Sequence, residues 1–309
     1  MNQNGPLCGW VDLQVNGYLG VDYSSETLTE SEFCSSADQL IQQGVDLFLP
    51  TIITSSERTY RRNLPLVARI LRESRLRNPV PGIHLEGPFL SSKPGAVGAH
   101  NPDWIQTPDL AALDRLQELA QGTVRLLTVA ADAPGVLELI RHAVSMGITV
   151  SLGHHLATEK QIFDAAEAGA RMLTHLGNGV PNLLPRHENP IWAGLACDAL
   201  TAMIIPDGHH LPESIVKIIL RVKGADRVIA VSDQSSIAGL PPGRYRALGN
   251  DVVLEPSGRL HNPEKQCLVG SALTLPSCMK WLEAATWLGN EDRRKLGRLN
   301  ALRMLGIQS

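Results

Sequence analysis

The chain has 309 residues, enough for two average domains or for one (β/α) barrel, a fold that runs to about 250 residues and more. Apolar side chains make up 43% of it, which supplies a core without disulfides and excludes disordered and fibrous classes. With 28 Lys and Arg against 31 Asp and Glu the net charge is −3, so no basic excess can neutralise a nucleic-acid backbone or an anionic membrane, and neither is expected as a partner. The five cysteines, Cys8, Cys34, Cys197, Cys267 and Cys278, are scattered and never form a C-x-x-C pair. That pattern argues against a disulfide framework or a thiolate zinc cage and for a reducing, cytoplasmic setting. Residues 1–5 (MNQNG) lack the basic start and apolar run of a signal peptide, and no apolar stretch reaches the roughly 18 residues of a membrane span.

Short apolar, β-branched runs alternate with longer segments of helical period along the chain. In order, strands are predicted near 9–15, 45–53, 80–86, 124–130, 148–154, 171–176, 201–206 and 227–233. Between them helices are predicted over 30–43, 58–75, 110–121, 136–146, 159–168 and 213–222. Runs such as LLTV at 126–129 and VIAV at 228–231 are apolar on both faces, as parallel strands covered on both sides must be. Eight β-then-α units predict an α/β fold of the (β/α)8 TIM type, one domain spanning 1–309. After the eighth strand, Tyr245, Leu248, Val252 and Leu254 alternate around turns at Gly249-Asn250 and 256–258, predicting a β-hairpin insertion over 243–261. Two last helices are expected over 276–287 and 290–305, and the proline-rich stretch 181–190 is expected to be a loop over the barrel mouth.

In such a barrel the chemistry sits where strands end, so the polar residues closing the runs carry the information. The third run closes on Glu86, the fifth on His154 and His155, the sixth holds His175, the seventh leads into Asp207, His209 and His210, and the eighth into Asp233. A lone strand-end histidine is more often a hydrogen-bonded structural residue than a ligand. Joint placement favours the other reading, because a buried carboxylate needs a partner and imidazoles ending neighbouring strands share one space. Glu86, His154 and His175 make a three-ligand set for a catalytic divalent metal with a position left open for water. Asp233 is placed to move a proton, or to cap the following turn, and His100 and His210 can donate hydrogen bonds to a substrate or sit at the surface. The first strand carries Gln14 and Asn16 where a second metal would need imidazoles, which favours one metal. Zinc, iron, cobalt and manganese all suit the ligand set, with zinc the first expectation.

These segments, in this order, resemble the N-acetylglucosamine-6-phosphate deacetylase family, a branch of the amidohydrolase superfamily. The resemblance spans nearly the whole chain and rests on DLQVNGYLGVD at 12–22, PTIITS at 50–55, GIHLEGPF at 82–89, GAHNP at 98–102, SLGH at 151–154, AGARMLTHLGN at 168–178, IIPDGHH at 204–210, VSD at 231–233 and GSALT at 270–274. It implies Glu86, His154 and His175 as metal ligands, Asp233 as catalytic acid/base and His100 as the group on the substrate carbonyl. It gives Asn178 and His210 to the sugar phosphate, with Gly179 also against the substrate. The implied reaction is hydrolysis of the acetamide of an N-acetyl amino sugar, phosphorylated in the family, to acetate and the amino sugar.

Four departures accompany the resemblance. Family members flank the barrel with strands of a small β-sandwich, which is expected to be missing here because the first barrel strand begins near residue 8 and the sequence stops at Ser309. The family's THLFNAM reads THLGNGV at 174–180, so the substrate floor differs. The loop whose arginine reaches a neighbouring subunit's phosphate, R-E-P-G in the family, reads RHENPI at 186–191, with an extra residue and His187 at the arginine's place, so that either Arg186 substitutes, which implies a homodimer, or the phosphate is not read at all. T-D-A-M reads SDQS at 232–235, which keeps the acid and changes its neighbours. The alternatives are an amidohydrolase acting on another N-acyl or cyclic amide and a non-catalytic sugar-binding barrel.

Overall fold

The computed structural model describes residues 9–73 and 75–308. Residues 1–5 and Cys8, read above for targeting and redox setting, lie outside the described residues, as do Ser309 and Ser74 of the predicted second helix. Eight parallel strands form the central sheet: β1 (Trp10–Val15), β2 (Val45–Ile53), β3 (Ile83–Glu86), β4 (Val124–Val129), β5 (Thr149–Leu152), β6 (Met172–Leu173), β7 (Thr201–Ile204) and β8 (Val228–Ala230). They pair in chain order, so the chain is a TIM-type barrel. Closure comes just past β8, where Val15 bridges Gln234, Asn16 N–H donates to Gln234 O at 2.8 Å, and Ser232 N–H donates to the Asp12 carboxylate at 3.1 Å.

Helices α1 (Glu30–Gln42), α2 (Glu57–Glu73), α3 (Leu110–Leu119), α4 (Val136–Ser145), α5 (Glu159–Ala168), α6 (Pro190–Ala196) and α7 (Glu213–Lys223) follow successive strands. Each buries one stripe: in α4 it is Val136, Leu139, Ile140 and Ala143, the 3.6-residue period seen in the sequence. Burying a side chain such as Leu139 stabilises by about 1.5–3 kcal/mol. Starts are fixed by side chains, with capping boxes at Thr29/Glu32 of α1 and Thr158/Gln161 of α5. The 181–190 stretch carries no strand and only its last residue is helical; Asn189 caps α6, accepting from Ile191 N–H and Trp192 N–H.

The lower barrel interior is packed with Leu13, Leu49, Leu126, Met203 and Ile229 and is plugged by Ala301, Leu302 and Leu305 of the last helical segment. That segment consists of α9 (Asn290–Arg294), a π turn (Lys295–Leu299) and α10 (Asn300–Met304), after α8 (Leu275–Ala284). Higher in the barrel the interior turns polar, with His84, Thr128 and Thr174 linked by hydrogen bonds of 2.8 Å. Apolar filling at one end and polar filling at the other direct the chemistry to the C-terminal ends of the strands.

The predicted hairpin is larger than expected. It is a four-stranded antiparallel sheet of β9 (Gly243–Ala247), β10 (Asn250–Leu254), β11 (Leu260–Asn262) and β12 (Cys267–Leu268), with a small core of its own formed by Ile237, Val252, Leu254, Leu260 and Val269. Its last two strands are only three and two residues long, too short to leave an alternating pattern in the sequence. No helix among the described residues is long and apolar enough to cross a membrane.

Candidate active site and metal centre

Glu86 is the last residue of β3, and His154, His175 and Asp233 stand two, two and three residues past β5, β6 and β8. The last three adopt positive φ (52°, 31° and 48°), a region non-glycine residues rarely occupy. Leu248 and Gln266, on the sheet above, do the same, and all five line one cavity of about 380 Å³. Backbone strain is thus gathered where side chains must be aimed inward, as at functional sites in general.

Glu86 Oε1 lies 3.1 Å from His175 Nε2 and 3.3 Å from His154 Nε2, and the two imidazole nitrogens are 3.0 Å apart. His154 Nδ1–H donates to Ala96 O at 2.8 Å, which fixes its tautomer and leaves the Nε2 lone pair facing the others. Gln14 Nε2 donates to Glu86 Oε1 at 2.9 Å. The ligand atoms of Glu86, His154 and His175 all lie within 4.8 Å of one another, and all three residues are buried. Three electron-pair donors so close have room for one shared proton, whereas a divalent cation would satisfy all of them; the donor set fits a metal.

Burial pushes Glu86 up, but hydrogen bonds with His154 and His175 outweigh it and hold the carboxyl well below its usual range. Asp233 goes the other way: burial and then the Glu86 charge lift it to about 6, against a 2.8 Å hydrogen bond from Asn16 Nδ2. His100 is buried with Nε2 3.3 Å from His154 Nε2, and burial lowers it to about 3, so its ring is neutral.

Glycine is required where the loops cross His154. A Cβ on Gly179 would stand 3.1 Å from His154 Nδ1 and 3.2 Å from His175 Cε1, and one on Gly98 would stand 3.0 Å from His154 Cε1. Both also have positive φ.

Of the predicted site residues, Glu86, His154, His175, Asp233, His100, Asn178, Gly179 and His210 all border this cavity. Arg186 does not; it is exposed on the 181–190 loop, where its carbonyl accepts from Trp192 Nε1. Unforeseen were the roles of Gln14 and Asn16, which hold Glu86 and Asp233, and of Asp207. The Asp207 carboxylate accepts from His210 Nδ1–H at 2.7 Å and from the backbone N–H groups of His209 and His210 at 2.8 Å each. Burial raises Asp207, but those bonds prevail and hold it at about 2. The one available signal was spacing: Gln14 and Asn16 share a strand face, and Asp207 precedes His210 by one turn. Part of the cavity wall, Leu248 with Arg259, Gln266, Cys267 and Leu268, comes from the inserted sheet.

A parallel eight-stranded barrel with a carboxylate and two imidazoles gathered at its strand ends defines a protein of the amidohydrolase superfamily. No family model matches the chain. It is 30% identical over 304 residues to the N-acetylglucosamine-6-phosphate deacetylase of Bacillus subtilis, covering 97% of this chain and 75% of that protein. It is 29% identical over 302 residues to the N-acetylgalactosamine-6-phosphate deacetylase of Escherichia coli O157:H7, covering 97% and 78%. Its fold is similar to that of the N-acetyl-D-glucosamine-6-phosphate deacetylase of Mycobacterium smegmatis, with a TM-score of 0.88 at 27% identity over 97% of this chain and 78% of that one. The chain belongs to the N-acetylglucosamine-6-phosphate deacetylase family.

Proposed function

We propose that this protein is a metal-dependent deacetylase that hydrolyses the acetamide of an N-acetyl amino sugar carrying a 6-phosphate. The observation that carries the reading is the convergence of Glu86, His154 and His175 with Asp233 in one cavity. Its relatives support the substrate class, since both N-acetylglucosamine and N-acetylgalactosamine 6-phosphate deacetylases are among them.

Glu86, His154 and His175 would hold one divalent ion, with zinc the first expectation and iron, cobalt or manganese its alternatives. When bound, the ion supplies Lewis acidity toward the acetamide carbonyl and water. Asp233, held by Asn16, accepts a proton from the attacking water as the C–O bond forms. It then delivers that proton to the amide nitrogen as the C–N bond breaks, so acetate and the amine leave with the balance closed. His100, a neutral ring, presents one N–H to the carbonyl oxygen, where negative charge develops. His210 is fixed by Asp207, and with Asn178 and Gly179 it faces the sugar and its phosphate.

The test is elemental analysis of the purified protein together with acetate release from N-acetylglucosamine and N-acetylgalactosamine, each with and without a 6-phosphate. Stoichiometric metal and faster release from a phosphorylated sugar are expected. No acetate from any of the four would overturn the reading.

A further inference from the structure

The cavity is unevenly charged. Glu86 and Asp233 are its carboxylates, and Arg259 is the sole arginine or lysine along its lining among the described residues. Arg259 stands directly before β11, after the turn at 255–258 that links β10 to β11. Its Nη1 donates to Glu255 Oε1 at 3.1 Å, and its side chain makes no other hydrogen bond among the described residues. That pair is 46% and 36% exposed, so it restrains the guanidinium only weakly and leaves most of its five donors for a ligand. The turn is tied to the loop after β7, because His209 Nε2–H donates to Ser257 O at 3.1 Å. Arg259 and His210 therefore belong to one continuous side of the cavity. Arg186, the replacement expected from the sequence, lies outside it.

We infer, on the footing of the deacetylation proposed above, that Arg259 is the specificity-determining residue for the anionic group of the substrate, reading the 6-phosphate from within the same chain. A guanidinium fork matches phosphate geometry better than any other side chain. A phosphate held at Arg259, on the wall that the inserted sheet supplies, leaves the acetamide of the same sugar to reach the metal ligands at the strand ends. The sheet inserted after β8 supplies this arginine, and the 181–190 loop is freed from the task.

Arg259→Ala, Arg259→Lys and Arg186→Ala, each checked for parent-like melting temperature and metal content, are to be compared on N-acetylglucosamine with and without a 6-phosphate. Calorimetric binding of glucosamine 6-phosphate gives a second readout. In Arg259→Ala the ratio of kcat/KM for the phosphorylated over the plain sugar should fall about 10- to 100-fold, with a similar loss of glucosamine 6-phosphate affinity. Arg259→Lys should recover part of both, since it keeps the charge and loses the fork. A ratio and an affinity at parent level in Arg259→Ala overturn the inference, as does a loss confined to Arg186→Ala. If the parent releases acetate from none of the four sugars named above, the deacetylation reading falls by itself. Calorimetry then still decides Arg259: binding lost in the variant supports its role, and binding kept, or absent from the parent, ends it.

Discussion

Glu86 and Asp233 are two buried carboxylates in one cavity whose neighbours push them in opposite directions. Such a pair suits the proposed division of labour, one carboxylate held anionic to ligate and the other able to carry a proton near neutrality. Asp233→Asn keeps the acceptor for Asn16 and cannot take up the proton, so it should retain its metal while kcat falls by about 10²–10⁴. Activity within tenfold of the parent, with metal in place, would pass the proton transfer to another group. Gln14 shapes the same site from one step away, through its 2.9 Å bond to Glu86. Gln14→Leu removes a donor to a ligating carboxylate and should weaken metal binding by about 10- to 100-fold, read by competition with a chelator. Unaltered competition would reduce Gln14 to a packing role.

At the level of elements, the π turn Lys295–Leu299 lets the last helix press on the start of β1. A Cβ on Gly297 would come within 2.5 Å of Trp10 Cε3 and 2.9 Å of Met279 Sδ. Gly297→Ala should therefore destabilise the fold by about 1–3 kcal/mol, measured as a lowered urea midpoint at constant slope. A midpoint equal to the parent's would mean that the Trp10 ring swings aside. What the sequence revealed follows the same division between local and distant contacts. The buried stripe of α4 and the Glu86, His154 and His175 cluster at the ends of β3, β5 and β6 are legible because helical period and strand ends are local properties. The run at 171–176 shrinks to Met172–Leu173 because His175 leaves the extended region to reach the cavity. Gln14 meets Glu86 across 72 residues and Asn16 meets Asp233 across 217, distances over which no pattern in the chain announces a pairing. Arg259 is invisible for the same reason, since only the fold of β9–β12 carries it over the barrel mouth.

The whole molecule depends on a seam between its first and last barrel strands, and Asp12 sits in it. Fully buried, Asp12 accepts from Ser232 N–H, and burial lifts its carboxyl to about 7; burial also raises Asp22, to about 6. An acid raised on folding binds its proton more tightly in the native than in the unfolded state, so its contribution is complete below about pH 4 and is lost as pH rises through about 6 and 7. For Asp12 the loss is up to about 4 kcal/mol, because each tenfold gain in proton affinity on folding is worth about 1.4 kcal/mol. Burial lowers His84 and His155 to about 4, and they oppose this trend, so the comparison of parent with Asp12→Asn isolates the seam. Asn stays neutral, and the fall in urea midpoint between about pH 4.5 and 7.5 should be smaller in the variant; equal pH slopes would remove Asp12 as the cause. The sheet β9–β12 follows that seam in the chain, with its own small core, and its turns at 255–259 and 263–266 each bring one residue, Arg259 and Gln266, to the cavity wall. Arg259 thus stands on a piece of chain separate from Glu86, His154, His175 and Asp233, while Asn178, Gly179 and His210 stay on the barrel's own loops. A combinatorial library confined to those two turns can explore new sugars while every member keeps the same hydrolytic machinery, which makes the insertion the natural place to evolve this barrel toward another amide.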